Sequence, residues 1–316
     1  MDTTAKKKGS PFLTVEDLSV SFERYNSKFG KKDLKVISDL SISVNRGEIL
    51  AIAGSSGSGK SLLAHAILGL LPDNAAIRGS MWFDGRDLTP KLQKMLRGRE
   101  IALVPQSVSY LDPLMRVGAQ VRGTQKGGKI RQAQRKIFRR YELDHTVERL
   151  YPFQLSGGMA RRVLVSTAVI SEADLIIADE PTPGMNVEQA MEALHTFREL
   201  ADSGKAVILI THDIDLAFSI ADKIAVFYAG TTVEIAPSED FISGPEALRH
   251  PYSQALWKAL PQNGFEPIPG FQPYAKNLPS GCLFVPRCTC KTPECEQQLP
   301  PMRTVRNGYV RCFHAT

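Results

Sequence analysis

The stretch GSSGSGKS at residues 54–61 narrows the possible folds of this chain more than any other feature. It fits the pattern G-x-x-x-x-G-K-[ST], with Gly54, Gly59, Lys60 and Ser61 at the fixed places. The apolar run EILAIA (48–53) leads in, and the helical pattern KSLLAHAILGLL (60–71) leads out. A strand, a glycine-rich turn and a helix start together make a cradle for phosphate. The glycines let backbone N–H groups converge on oxygens, and the helix N-terminus adds a favourable dipole. Gly54, Ser55, Ser56, Gly57, Ser58 and Gly59 are therefore expected to wrap the phosphates of a nucleotide. Lys60 is expected to reach the β- and γ-phosphates, with the Ser61 hydroxyl in the Mg²⁺ shell. A flexible Gly/Ser linker would not explain a strand before, a helix after and GKS in register.

A metal-assisted site needs an acid, and DLIIADEP (174–181) supplies one at the end of an apolar strand. Asp179 is placed to hold Mg²⁺, directly or through water, and Glu180 to polarise an attacking water. Three further pieces have the same character. LSGGM (155–159) sets Ser156, Gly157 and Gly158 just before the helical run ARRVLVSTAVI, a second anion-ready helix start. Gln106 follows the strand-like EIALVP (100–105), and His212 follows AVILIT (206–211). Both stand where ligands bind in open α/β sheets, at strand C-terminal ends. Taken singly, a Gln or His at such a place is more often structural; the order of all five pieces is what carries weight.

Strand-like runs at 36–44, 48–53, 100–105, 174–178, 206–211 and 223–228 alternate with helical patterns such as 187–204. Several runs are apolar throughout, as central strands covered on both faces are. An α/β domain with a mainly parallel core is expected. Residues 107–172 break the alternation with helical material and read as an inserted subdomain.

With these residues in hand, the chain resembles the ATP-binding cassette family over about residues 12–245. GSSGSGKS resembles the Walker A loop, Gln106 the Q-loop, LSGGM the signature, LIIADE the Walker B strand and His212 the switch histidine. The resemblance implies a P-loop NTPase fold with an N-terminal antiparallel β subdomain, and Phe22 stacking on adenine, with Tyr25 as second choice. It implies head-to-tail dimers in which Ser156, Gly157 and Gly158 contact the ATP held by the partner cassette. Glu180 would be the general base, His212 would hold the γ-phosphate and water, and Gln106 would sense the Mg²⁺ held with Ser61 and Asp179. One stretch departs from the family: residues 182–186 read TPGMN where a loop resembling S/T-A-L-D is usual. Asn186 replaces its aspartate, an uncharged amide that still hydrogen-bonds, which points to a dimer with a different cassette.

Charge says less. The net charge of +6 is mild, but Arg122 to Arg140 holds eight Lys/Arg and no acid. Anionic lipid and nucleic acid are the functional readings; a solvated helix face is the plain one. No aromatic residues suited to base stacking interleave the charges, so no nucleic acid is expected. No apolar run approaches the roughly 20 residues that span a bilayer, and no signal peptide is read at the start.

Cysteine is absent before Cys282, then appears at Cys282, Cys288, Cys290, Cys295 and Cys312. In a cytosolic chain such a cluster reads first as a metal site. Residues 246–316 also turn rich in proline and glycine, a loop-rich extension beyond the 1–245 cassette. Here HPYSQAL (250–256), IPG (268–270) and LPSGCLFVPRC (278–288), with YLDPLMRVGAQV upstream, resemble the oligopeptide/dipeptide importer ATPases. That group implies a [4Fe–4S] cluster on Cys282, Cys288, Cys295 and Cys312, with Zn²⁺ as the alternative. It also implies two transmembrane permease subunits, a second ATPase subunit, an extracytoplasmic solute-binding protein and a peripheral place on the cytoplasmic face of the membrane. Peptide is the cargo so implied, a nickel or metal chelate the alternative. A soluble cassette ATPase outside transport, or a module that binds ATP without hydrolysis, are the contrasting classes.

Overall fold

The computed structural model describes residues 11–25, 31–125 and 127–316. Its strands are β1 (Leu13–Tyr25), β2 (Lys31–Val44), β3 (Ile49–Gly54), β4 (Ala75–Phe83), β5 (Arg86–Asp87), β6 (Ile101–Val104), β7 (Leu175–Asp179), β8 (Ala206–Ile210), β9 (Lys223–Tyr228), β10 (Thr231–Pro237), β11 (Arg303–Val305) and β12 (Gly308–Val310). The helices are α1 (Lys60–Leu68), α2 (Pro90–Leu96), α3 (Val117–Arg122), α4 (Gly128–Arg140), α5 (Gly157–Val169), α6 (Val187–Asp202), α7 (Ile214–Ile220), α8 (Ser238–Ser243), α9 (Pro251–Lys258) and α10 (Pro293–Gln297).

The main sheet runs β11-β12-β10-β9-β3-β8-β7-β6. From β9 to β6 it is parallel, and the β10, β12 and β11 pairings are antiparallel. Because strand side chains alternate between faces, a doubly covered strand must be apolar at every position. β3 shows this directly. Ile49, Ala51 and Ala53 enter one core, with α5, α6 and α7, while Leu50 and Ile52 enter the other, with α1 and the second sheet. That second sheet, β2-β1-β4-β5, is antiparallel throughout. The expected α/β P-loop NTPase fold is what is found.

Helical material fills the interval between β6 and β7. In α4 the basic stretch is partly spent on internal pairing: Arg135 meets Glu148 at 2.9 Å, and Arg140 reaches Glu199 at 2.6 Å as well as Glu192. Arg122 donates to Gln134 at 2.5 Å. Lys126 lies outside the described residues.

The cysteine-bearing segment is joined to the cassette rather than appended to it. β12 pairs with β10, so residues 303–310 widen the main sheet. Phe284 and Leu283 are buried in the same core as Tyr228 and Tyr252. Arginines satisfy the loop carbonyls that strands would otherwise pair. Arg311 donates to Asp39 O at 2.8 Å and to Pro300 O, and Arg287 donates to Ile268 O and Pro269 O. Arg303 donates to Cys312 O, Phe313 O and Ala315 O. Beneath them Arg249, 2% exposed, meets the fully buried Glu234 and, at 2.7 Å, Asp240.

Candidate nucleotide-binding site

The loop after β3 turns back on itself because its glycines accept backbone angles other residues resist. Gly54, Gly57 and Gly59 have φ of 152°, 78° and 96°. Gly54 has a second constraint: a Cβ there would sit 2.3 Å from Phe227 O on the neighbouring strand. Ser55 O anchors the curl from inside, accepting from Ser58 N at 3.3 Å and from Lys60 Nζ at 3.1 Å. Lys60 also donates to Gly54 O at 2.8 Å. Burial lowers its pKa, opposed by the charges of Glu180 and Asp179.

A cleft of about 450 Å³ opens beside this loop, lined among others by Ser56, Lys60, Ser61, Gln106, Glu180 and His212. Four of the stretches singled out in the sequence thus meet at one cleft. Asp179, the residue before Glu180, is 3% exposed; burial pushes its carboxyl pKa up, and the nearby Ser61 hydroxyl opposes that rise. Its Oδ1 has no hydrogen-bond partner. A buried carboxylate oxygen without a donor is costly, and a carboxylate with a neighbouring hydroxyl is the oxygen set that Mg²⁺ uses beside phosphate. The residues fit that ion.

Glu180 is only 9% exposed at its side chain and its Oε2 lies 2.5 Å from His212 Nδ1. Its own φ is 50°, a left-handed angle unusual for a glutamate. The bond from Glu180 N to Ile210 O at 2.8 Å fixes that turn. Strain held in this way concentrates at functional positions.

Not every expected residue is in the cleft. Phe22 does not line it; the side chain packs against the core beside the antiparallel sheet, and Val36 lines the cleft instead. The Tyr25 side chain lies outside the described residues. The signature residues stand apart from the cleft. Ser156 caps α5, its Oγ accepting from Met159 N at 3.2 Å, and Ser156 and Gly157 are exposed. A Cβ on Gly158 would come 2.9 Å from Gly184 O, so this glycine lets the 182–186 loop lie against the signature helix. Asn186 in turn caps α6 by accepting from Gln189 N at 2.8 Å.

A residue of the signature helix escaped sequence reasoning. Arg161, buried in α5, donates to Pro105 O at 2.9 Å and to Gln106 O, so the signature helix holds the Q-loop by its backbone. In sequence it reads as one more base in ARR; a charge on the inward side of an otherwise apolar helix was the available signal.

The thiols share one neighbourhood. Cys282 is pushed up to about 11, first by burial and then by Cys312, Cys288 and Cys295; burial raises Cys288 and Cys312 as well. Cys295 Sγ lies 3.3 Å from His314 Nε2. Among the described residues, however, no group of three or more His, Cys, Asp or Glu is placed to hold a metal ion. The expected cluster or zinc therefore gains no support from the geometry: these thiols are gathered but not arranged around a single ion.

The fold and the cleft together define an ATP-binding cassette ATPase. Residues 37–183 match the ABC transporter family, and residues 233–295 match the oligopeptide/dipeptide transporter C-terminal region. The oligopeptide transport ATP-binding protein OppD of Salmonella typhimurium is 34% identical, covering 98% of this chain and 96% of its own. The dipeptide transport ATP-binding protein DppD of Escherichia coli is 35% identical over 94% of each. A dimeric ATP-binding cassette, MJ0796 bound to ADP and Pi, superposes with a TM-score of 0.63 at 23% identity, covering 72% of this chain and 98% of that one. The chain belongs to the ATP-binding subunits of the oligopeptide/dipeptide ABC transporter family.

Proposed function

We propose that this chain is the ATP-hydrolysing subunit of a membrane importer for di- or oligopeptides. The observation that carries it is the single cleft shared by Lys60, Ser61, Gln106, Glu180 and His212, with the unpartnered oxygen of Asp179 next to Glu180 in the chain. The loop N–H groups and Lys60 bind the phosphates. Ser61, Gln106 and Asp179 would hold Mg²⁺, which would neutralise charge on the phosphate oxygens. Glu180 takes the proton from the attacking water, and His212, already in contact with Glu180, orients that carboxylate and the γ-phosphate. The exposed Ser156 and Gly157, with Gly158, are free to meet ATP on a second cassette, here a different chain. The peptide cargo rests on what the relatives' names say of them.

Among the described residues no helix is long and apolar enough to cross a membrane. Attachment to the cytoplasmic face through two permease subunits is supported by apolar side chains on the helical subdomain, with Leu114 87% and Phe153 75% exposed. A solute-binding protein would select cargo on the far side. The four thiols, as a donor set, suit a [4Fe–4S] cluster better than zinc, because each thiolate of such a cluster binds its own iron rather than one shared ion.

The test is reconstitution of the chain with its co-purifying membrane subunits in vesicles. Peptide-dependent ATP hydrolysis with accumulation of a labelled dipeptide is expected. A chain that co-purifies with no membrane protein, or hydrolysis indifferent to every peptide and binding protein supplied, overturns the reading.

A further inference from the structure

The extension reaches the phosphate loop itself. Ser55 Oγ donates to Gln272 Oε1 at 2.5 Å, a contact spanning more than two hundred residues of sequence. Burial raises the phenol pKa of Tyr252, on α9, and the nearby Ser55 opposes that rise. Each of these residues is itself held. Arg287 grips the carbonyls of Ile268 and Pro269, just ahead of Gln272, at 3.0 and 2.8 Å. Tyr252 is 1% exposed and wedged between Tyr228 and Phe284, with ring centroids 4.5 and 5.4 Å away. Arg287 and Phe284 both belong to the segment between Cys282 and Cys288.

Ser55 is the pivot of the curl: its carbonyl takes the Ser58 N–H and the Lys60 ammonium. A loop whose N–H groups must converge on phosphate binds best when that curl exists beforehand, since ordering it on binding costs free energy. We propose that Gln272 is a positioning residue for the nucleotide, holding Ser55 from outside so that the Walker A loop is set by the C-terminal extension. This rests on the reading that the loop binds ATP. It assigns the extension a task inside its own cassette, separate from any metal on its thiols.

Titration calorimetry of the full chain with Mg·ATP tests this, using Gln272→Ala, Ser55→Ala and the Ser55→Ala/Gln272→Ala double variant. Removing one neutral hydrogen bond is expected to weaken ATP binding about three- to tenfold in Gln272→Ala. Melting without nucleotide should be unchanged, and in the assembled complex KM for ATP should rise while kcat holds. In the Ser55→Ala background, Gln272→Ala should add nothing. Wild-type affinity in Gln272→Ala overturns the proposal. So does an equal loss from Gln272→Ala with and without the Ser55 hydroxyl, which would mean it acts elsewhere. A wild-type chain that binds no Mg·ATP overturns the underlying reading, and the positioning role with it.

Discussion

His212 holds Glu180 by a direct contact of 2.5 Å between Nδ1 and Oε2, across the ends of two adjacent parallel strands. The carboxylate is therefore oriented by a residue from β8's end while its backbone is strained at β7's end. Glu180→Gln should lower ATP turnover by about 10²–10⁴, the range of general-base catalysis. Mg·ATP affinity should remain within about threefold of wild type, since the change alters no phosphate donor. Single-turnover hydrolysis beside equilibrium binding separates the two; a parallel loss of both would remove Glu180 from the proton-transfer role.

Asn186 is a clean place to ask what the unusual 182–186 loop does. Its side chain caps α6, and aspartate caps as well as asparagine, so Asn186→Asp should leave stability within about 0.5 kcal/mol. Turnover of the assembled complex is expected to rise about threefold, equivalent to about 0.7 kcal/mol of barrier. An unchanged rate and unchanged coupling to peptide would dispose of an asymmetric role for this loop.

The pair beneath the extension predicts a large stability effect. Glu234 accepts from Arg249 N and His250 N, each at 2.8 Å, and faces the Arg249 guanidinium. Glu234→Ala should cost about 3 kcal/mol, at the low end for a broken buried pair because Asp240 still holds Arg249. Urea unfolding of the two chains gives the number, and a loss under about 1 kcal/mol would show that the site relaxes.

His250 predicts a pH dependence. Burial alone pulls its pKa down from 6.5 to about 3, and its Nδ1 accepts from Tyr252 N, so the folded chain holds it neutral. A depressed value means that the unfolded chain binds the extra proton. Its contribution is therefore complete above pH 6.5 and fades as pH falls toward 3, at up to about 1.4 kcal/mol per unit. His250→Asn keeps a capping acceptor for Tyr252 N and should flatten the loss of stability between pH 6 and 4 by about one proton. Equal slopes for both chains would refute the assignment.

For the thiols the expected outcome is a brown chain after anaerobic purification, with iron and sulfide in equal amounts that fall together in Cys312→Ser. Zinc without sulfide, or no metal under strictly anaerobic handling, would set the cluster aside.

Sequence legibility followed burial. β3, β7, β8 and β9 were readable because both faces are covered, which forces an unbroken apolar run. β4 was not, since Ile77 to Ser80 face solvent and break the pattern. β11 and β12 span three residues each, too short for any period. The catalytic cleft was legible because phosphate chemistry demands particular residues in order. Arg161 and Gln272 were not, because each acts on a backbone or hydroxyl far away in sequence; the inward charge marked Arg161 only by position, and nothing local marks Gln272 as having such a partner.

The pairing of β10 with β12 also orders events during synthesis. β10 is the flank of the main sheet until residues 308–310 exist to cover it. An emerging chain thus carries a bare row of N–H and C=O groups, the kind of edge that recruits foreign strands. A stop codon anywhere between 237 and 308 would leave that row permanently open. Such products are expected in the insoluble fraction however sound their phosphate loop.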